Sequence, residues 1–231
     1  RRDFSSNVSH EMKTPLQVIS GYAELMKNDM VQPSDRQKFA ALIYDEAQTM
    51  RSLINDVLTL SKLDESAFEN DGATAINLYA VAQRVAGRLS SFADDQGVRV
   101  RVEGASACIA GSETLAEEML YNLIENGIRY NHEGGLVTMK VGSECVEGGL
   151  ANAAYQTVVR VSDTGPGIPA ELHDKVFERF FRVDKSRSKE TGGTGLGLAI
   201  VKHAVMYHGG VIEVESAEGQ GTTFVLRFPS A

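Results

Sequence analysis

Apolar residues in the first part of the chain recur at alternating steps of four and three. Val8, Met12, Pro15, Ile19, Tyr22 and Met26 form one stripe; Phe39, Ile43, Met50, Leu53, Val57 and Leu60 form a second, broken only by Glu46. This spacing is the a/d seam of a helix that packs on other helices. Between the stripes, Asn28 and Asp29 weaken the first, and Gln32-Pro33-Ser34-Asp35 supplies a turn with Ser34 as an N-cap signal. The pattern therefore predicts an antiparallel helical hairpin over residues 1–65. A lone hairpin has little core, so two copies closing a four-helix bundle, a homodimer, would bury both seams. The alternative is that the seams pack on the rest of the chain.

Residues 66–74 are polar and read as a linker. Beyond them the period changes. Asn77 caps a helix reaching about Asp94, residues 98–102 alternate as a half-buried strand, and 105–110 form a second strand. Ser112 caps a helix to Asn131 with glutamates in its first turns. Residues 137–146 and 155–162 read as a hairpin around Gly148-Gly149, 172–180 as a short helix, 196–207 as a longer helix, and 211–216 and 222–228 as closing strands. Strands and helices mix without a regular βαβ alternation, which predicts an α/β sandwich over residues 75–231, one mixed sheet with helices on one face. The fold class is thus α+β, a helical hairpin followed by this sandwich.

The 231-residue chain has a formal charge of −8. That balance argues against a nucleic-acid partner and means that any bound phosphate must be met by local groups. Cys108 and Cys145 are far apart and fit no metal motif, so they read as reduced thiols of a cytoplasmic domain. No apolar run approaches the roughly 20 residues of a membrane span, and no signal-peptide core is present, so no membrane contact is expected for this stretch. The chain opens inside a helical pattern without a cap, the expected look of a piece from a longer protein, which leaves room for a membrane anchor elsewhere.

Two regions carry candidate chemistry. In Ser9-His10-Glu11-Met12-Lys13-Thr14-Pro15-Leu16-Gln17, the seam positions of Val8 and Met12 leave His10 farthest from the apolar face, so its imidazole faces water. Glu11 follows it, and Thr14 lies one turn on along the same face. Pro15 lacks the N–H that would bond the Glu11 carbonyl, which predicts a bent or loosened turn. A neutral imidazole keeps a lone pair for attack, while a neighbouring carboxylate can hold its other N–H. An ordinary surface histidine beside an incidental proline would look the same, so the downstream residues must decide.

Four downstream stretches are too glycine-rich or polar to be packing alone. Asn122 and Asn126 share one face of the helix from Ser112 and offer oxygen ligands to a hard Mg²⁺; Arg129 and Tyr130 add a phosphate contact and a flat ring for a base. In Asp163-Thr164-Gly165-Pro166-Gly167-Ile168, glycines allow a tight turn, and Asp163 can accept from an exocyclic amine such as adenine N6. Phe177-Glu178-Arg179-Phe180-Phe181-Arg182 sets apolar anchors before a polar loop, Asp184-Lys185-Ser186-Arg187, with Arg182 a candidate for neutralising phosphate charge. Gly192-Gly193-Thr194-Gly195-Leu196-Gly197-Leu198 opens a helix, so its N–H groups can face phosphate.

With these motifs the chain resembles, over essentially its whole length, the catalytic core of two-component sensor histidine kinases. Residues 1–65 resemble the dimerisation and phosphotransfer domain, with HEMKTPL as its H box. The remainder resembles the Bergerat-type ATP-binding domain shared by gyrase, the Hsp90 chaperones, MutL and these kinases, with N box NLIENGIRYN, G1 box DTGPGIP, F box FERFFR, G2 box GGTGLGLAIVKH and a terminal Gly219-Gln220-Gly221-Thr222. The resemblance implies His10 as phosphoacceptor, Asn126 as Mg²⁺ ligand, Asp163 as adenine reader, and the segment between F and G2 boxes as a lid over ATP. It further implies phosphotransfer to an aspartate of a response-regulator receiver domain and, through the polar Thr14, dephosphorylation of that regulator. Gly127 stands where Ala is usual, Arg129 where Lys is commoner, and Asn131 where Thr or Ser is typical. The rival reading is an ATP-hydrolysing conformational machine; such relatives carry Glu at the position of Asn122, and an amide cannot activate water. A third is a dimeric scaffold with a degenerate nucleotide site, against which the intact His10, Asn126, Asp163 and glycines weigh.

Overall fold

The structure, a computed structural model, describes residues 2–65, 74–146, 154–183 and 193–230. Most of the expected linker, the Gly148-Gly149 turn, the Asp184 to Arg187 loop and Gly192 lie outside the described residues. Helix α1 (Arg2–Lys27) and helix α2 (Arg36–Glu65) form the hairpin, joined through a 3₁₀ turn at Pro33–Asp35. Ser34 falls inside that turn and caps nothing, because Pro33, with its fixed φ, opens the turn one residue earlier. Helix α1 runs through Pro15 without interruption, and Pro15 is buried. Tyr22 meets Phe39 edge-on at 5.2 Å between centroids, fastening the two helices near the turn.

The second domain contains β1 (Thr74–Asn77), α3 (Leu78–Arg88), α4 (Ser90–Asp95), β2 (Arg99–Gly104), β3 (Cys108–Gly111), α5 (Glu113–Arg129), β4 (Leu136–Val146), β5 (Ala154–Asp163), α6 (Gly197–Tyr207), β6 (Val211–Ser216) and β7 (Thr222–Pro229). Among the described residues, five strands make a mixed sheet in the order β2-β4-β5-β7-β6, in which only the β2–β4 pair is parallel; β1 and β3 form a separate antiparallel pair. Helices α3, α5 and α6 bury Val85, Leu120, Leu123, Ile124 and Val201 against Val137, Met139, Val161 and Leu226 of the sheet. Along β4, Val137, Met139 and Val141 are buried and Lys140 is exposed, the alternation of a strand with one covered face.

Four expected elements differ in detail. The helix from Asn77 is two helices, α3 and α4, because the Ser90 hydroxyl donates to the Gly87 carbonyl (2.9 Å) and competes with the backbone ladder. Residues 74–77 pair with β3 although they carry little strand signal; Asn77 still caps α3, accepting from the Tyr79 and Ala80 N–H groups at 3.1 and 3.3 Å. Strand β3 starts at Cys108, since the Ala107 carbonyl is taken by the Leu78 N–H. Residues 172–180 are not a helix but belong to two 3₁₀ turns, Ala170–Leu172 and Lys175–Phe177, and a tight bend, too short a stretch to recover the cost of helix nucleation.

The two domains share a small core. Leu53 and Leu60 of α2 are buried against Leu196, Ala199 and Ile200 at the start of α6, with Phe4, Met12, Val57 and Phe180 at the edges. Each leucine contributes on the order of 1.5–3 kcal/mol by leaving water. This half of the α2 seam is therefore occupied by the chain's own second domain, whereas Leu16, Ile54 and Leu58 stay exposed on the hairpin.

Candidate active site

Sheet register builds one end of the site. Asp163 ends β5 opposite Val137 on one side and Thr222 on the other. Its Oδ1 accepts from the N–H groups of Gly165 (2.8 Å) and Thr222 (3.3 Å), which leaves Oδ2 to accept from a ligand amine. Burial pushes this carboxyl above its ordinary value, and the two N–H bonds offset part of that effect. Gly221, at φ 79, lies so close that a Cβ would stand 2.1 Å from the Asp163 carbonyl oxygen. Gly165 and Gly167 shape the turn beside it, and the Ile168 N–H donates to Ser216 Oγ at 2.8 Å. Gly127 of α5 faces the Val137 side chain, where a Cβ would come within 3.1 Å, so the glycine fits a close helix-to-strand contact. Asn131 donates to the carbonyls of Gly127 and Leu136 and accepts from Thr164 Oγ1 (3.0 Å), joining the end of α5 to the glycine turn.

The other end, a glycine loop, lies at the start of α6. Asn122 donates to the Glu118 carbonyl (2.9 Å), and its Oδ1 would be 2.5 Å from a Cβ on Gly197, so the amide seats the glycine loop. Asn126 is half-buried one turn further along α5. Arg129 pairs with Glu125 at 2.7 Å and lies over the Phe92 ring at 5.5 Å. Tyr130 is partly exposed, with its hydroxyl beside Gly193. Gly195 has φ 71 and accepts from the Phe180 N–H (2.8 Å); Phe180 itself sits in the left-handed region at φ 65, a conformation costing a non-glycine residue about 1–2 kcal/mol. Leu196 lies in the interdomain core and Leu198 against the main core. Together these residues make an anchored carboxylate for an adenine amine, a side-chain oxygen suited to a hard cation, and a helix start whose loop N–H groups suit phosphate oxygens. Asp163, Asn126 and the Gly193 to Gly197 loop thus fit ATP with Mg²⁺.

The hairpin carries the exposed histidine. The His10 side chain is 80% exposed, and its Nδ1 lies 3.8 Å from Glu11 Oε1. Thr14 Oγ1 is 3.5 Å from the His10 carbonyl on the same exposed face. Arg182 joins the two regions. It donates to the Gly193 carbonyl, and its Nη2 lies 3.9 Å from Glu11 Oε2.

At this junction Asp56 and Asp64 lie outside the motifs picked out above, whereas Thr194, Arg179 and His203 lie within them. Thr194 of the glycine loop donates to Asp56 Oδ2 of α2 at 2.6 Å, and its Oγ1 accepts from the Leu196 N–H. Burial raises the Asp56 carboxyl from 3.8 to about 6; the Thr194 bond lowers it, and the negative Glu118 and Glu125 of α5 raise it further. Arg179 donates to both oxygens of Asp64 (2.8 and 2.9 Å), contacts His203 Nε2 at 3.3 Å, and covers the Phe4 ring at 4.8 Å. A signal for Asp56 did exist, since it shares the buried stripe of Leu53, Val57 and Leu60 at helical spacing.

Residues 111–231 match the family model for histidine kinase-, DNA gyrase B-, and HSP90-like ATPases, and residues 1–66 match that for the His Kinase A (phospho-acceptor) domain. The sensor-like histidine kinase SenX3 of Mycobacterium tuberculosis is 35% identical over 231 residues, covering 100% of this chain and 54% of SenX3. The chain spans about half the length of the curated relatives it first matches. The Acinetobacter baumannii histidine kinase AdeS superposes with a TM-score of 0.71 at 23% identity, over 95% of this chain and 97% of that one. Histidine kinase ThkA, solved in complex with response regulator protein TrrA, superposes with a TM-score of 0.66 at 22% identity, over 99% of this chain and 61% of that one. Among the described residues, no helix is long and apolar enough to cross a membrane.

Proposed function

Because the chain belongs to the histidine kinase-, DNA gyrase B- and HSP90-like ATPase family and carries a phosphoacceptor domain ahead of it, we propose that it works as a cytoplasmic sensor-kinase core that phosphorylates its own His10. The observation that carries this reading is an exposed imidazole with a carboxylate at its Nδ1, in one chain with an ATP-type pocket. Glu11 holds the Nδ1–H side, so the Nε2 lone pair attacks the γ-phosphorus of ATP. The N–P bond forms as the bond from Pγ to the bridging oxygen breaks, and ADP leaves with that oxygen. The ring becomes cationic, and Glu11 balances the charge. Arg182 and the N–H groups of the Gly193 to Gly197 loop offset charge on the phosphate oxygens. Asn126 would hold Mg²⁺, which supplies further charge neutralisation when bound.

The exposed phosphohistidine then passes its phosphoryl group to an aspartate of a response-regulator receiver domain, the class of partner with which ThkA was solved. Thr14, on the same face as His10, orients the water that removes the phosphoryl group from the regulator. The chain acts as a homodimer whose bundle covers the exposed Leu16, Ile54 and Leu58. Incubation with labelled ATP tests the kinase assignment. Wild type should gain acid-labile, alkali-stable label and His10→Gln none, while the variant still binds nucleotide. Undiminished labelling of His10→Gln would remove His10 from its role.

A further inference from the structure

The position of the second domain bears on which histidine its ATP meets. Arg182 donates to the Gly193 carbonyl of the glycine loop. The same guanidinium reaches Glu11 Oε2 at 3.9 Å, and the other oxygen of Glu11 is 3.8 Å from His10 Nδ1. Two side chains of one polypeptide therefore span the distance from its phosphate loop to its own acceptor.

The seating that holds them there is extensive. Thr194 donates to Asp56, Arg179 donates twice to Asp64, and Leu196, Ala199 and Ile200 close over Leu53 and Leu60. All of these contacts join one chain's phosphate-loop region to that chain's own α2. They hold the glycine loop beside the segment of α1 in the same chain that carries His10 and Glu11, with Arg182 as the link between them.

Resting on the histidine kinase reading above, we propose that autophosphorylation is intramolecular, with ATP held by one chain phosphorylating His10 of that chain. In this arrangement Arg182, besides facing the phosphate oxygens, links Glu11 to the glycine loop of the same chain.

Heterodimers carrying two different affinity tags, isolated by tandem purification and labelled with γ-³²P-ATP, decide the question. In the first, a His10→Gln chain is paired with an Asn126→Ala chain. In the second, a wild-type chain is paired with a chain bearing both substitutions. Intramolecular transfer predicts no label in the first and about half the wild-type label in the second, all of it on the wild-type chain. Transfer between chains predicts the reverse, with label on the Asn126→Ala chain of the first and none in the second, and would overturn the proposal. The second heterodimer supports the proposal by a gained signal, so a misfolded variant cannot imitate it. Wild-type homodimers without any acid-labile label would overturn the kinase reading itself and this proposal with it.

Discussion

Replacement of Asp56 by asparagine should strengthen the seating of the second domain on α2. In the wild type, burial raises this carboxyl from 3.8 to about 6. At 1.36 kcal/mol per pKa unit, keeping it ionised in the junction costs about 3 kcal/mol. The folded state thus binds more protons than the unfolded state between pH 3.8 and 6, so the Asp56 contribution is greatest below 3.8, falls as pH rises through 6, and is lost above it. Asparagine keeps an oxygen to accept from the Thr194 hydroxyl and carries no charge. Exchanging a charge-assisted bond for a neutral one returns about 1 kcal/mol of the gain. The net stabilisation expected at pH 7.5 is about 1–2 kcal/mol, which at roughly 2–4 °C per kcal/mol for a chain of this size raises the calorimetric Tm by about 2–8 °C. At pH 5 wild-type Asp56 is largely protonated, and the advantage should shrink by about 1.4 kcal/mol. Comparing variant and wild type at each pH cancels the other titrating groups. A lower Tm for Asp56→Asn at pH 7.5, or a gain undiminished at pH 5, would refute the assignment of Asp56 as a strained interface carboxylate.

Asn126→Ala should lose Mg²⁺-dependent binding of a fluorescent ATP analogue while its circular dichroism stays unchanged; normal binding would put the cation elsewhere. Thr14→Ala should leave autophosphorylation within a few-fold of wild type and slow regulator dephosphorylation by roughly 10²-fold, the scale of a positioned proton-transfer group. Equal losses in both rates would mean that the Thr14 contact with the His10 carbonyl only shapes the helix. His208 is buried and held neutral, donating from Nδ1 to the Ala204 carbonyl (2.7 Å) and accepting at Nε2 from the Ser112 N–H (3.2 Å). Burial lowers its pKa, so its contribution is intact above the ordinary histidine value of about 6.5 and declines as pH falls below it. Urea unfolding of His208→Gln should show a weaker loss of stability between pH 7 and 5.5 than wild type, and an unchanged loss would clear His208 of this part.

The helical hairpin was legible because its apolar residues keep one period over many turns, and the sandwich because capping residues and alternating strands are local signals. Asp163 and the glycine loop were legible for a related reason, as each sits in a short contiguous stretch that packing does not explain. The strand at 74–77 was not, since its identity comes from pairing with β3 far along the chain. The junction was hidden in the same way. Asp56, Asp64, Arg179 and His203 lie on three separate segments, and nothing local joins them. Leu53 and Leu60 were read correctly as buried, but the seam pattern cannot say whether a partner chain or α6 covers them. Asn131 looked like a departure from the family, and only the folded chain gives it work: its amide donates to the Gly127 and Leu136 carbonyls, and its oxygen accepts from the His132 N–H and from Thr164 of the glycine turn.

The second domain grips two helices at once, with unequal strength. On α1 its hold is the half-buried Met12, the Arg182–Glu11 pair and the Phe4 ring, 5.9 Å from Phe180 and capped by Arg179, the two ring contacts worth about 0.5–1.5 kcal/mol each. On α2 its hold is two buried leucines, the Thr194–Asp56 bond and the doubly bonded Asp64, the leucines alone contributing about 3–6 kcal/mol. A body clamped hard to one rod and lightly to another behaves as a torque gauge. If α1 slides or turns against α2, the contacts to α1 yield first and the domain stays with α2. Phe180, released from Phe4, is then free to leave its strained left-handed backbone, and its N–H carries that change directly to Gly195 in the glycine loop.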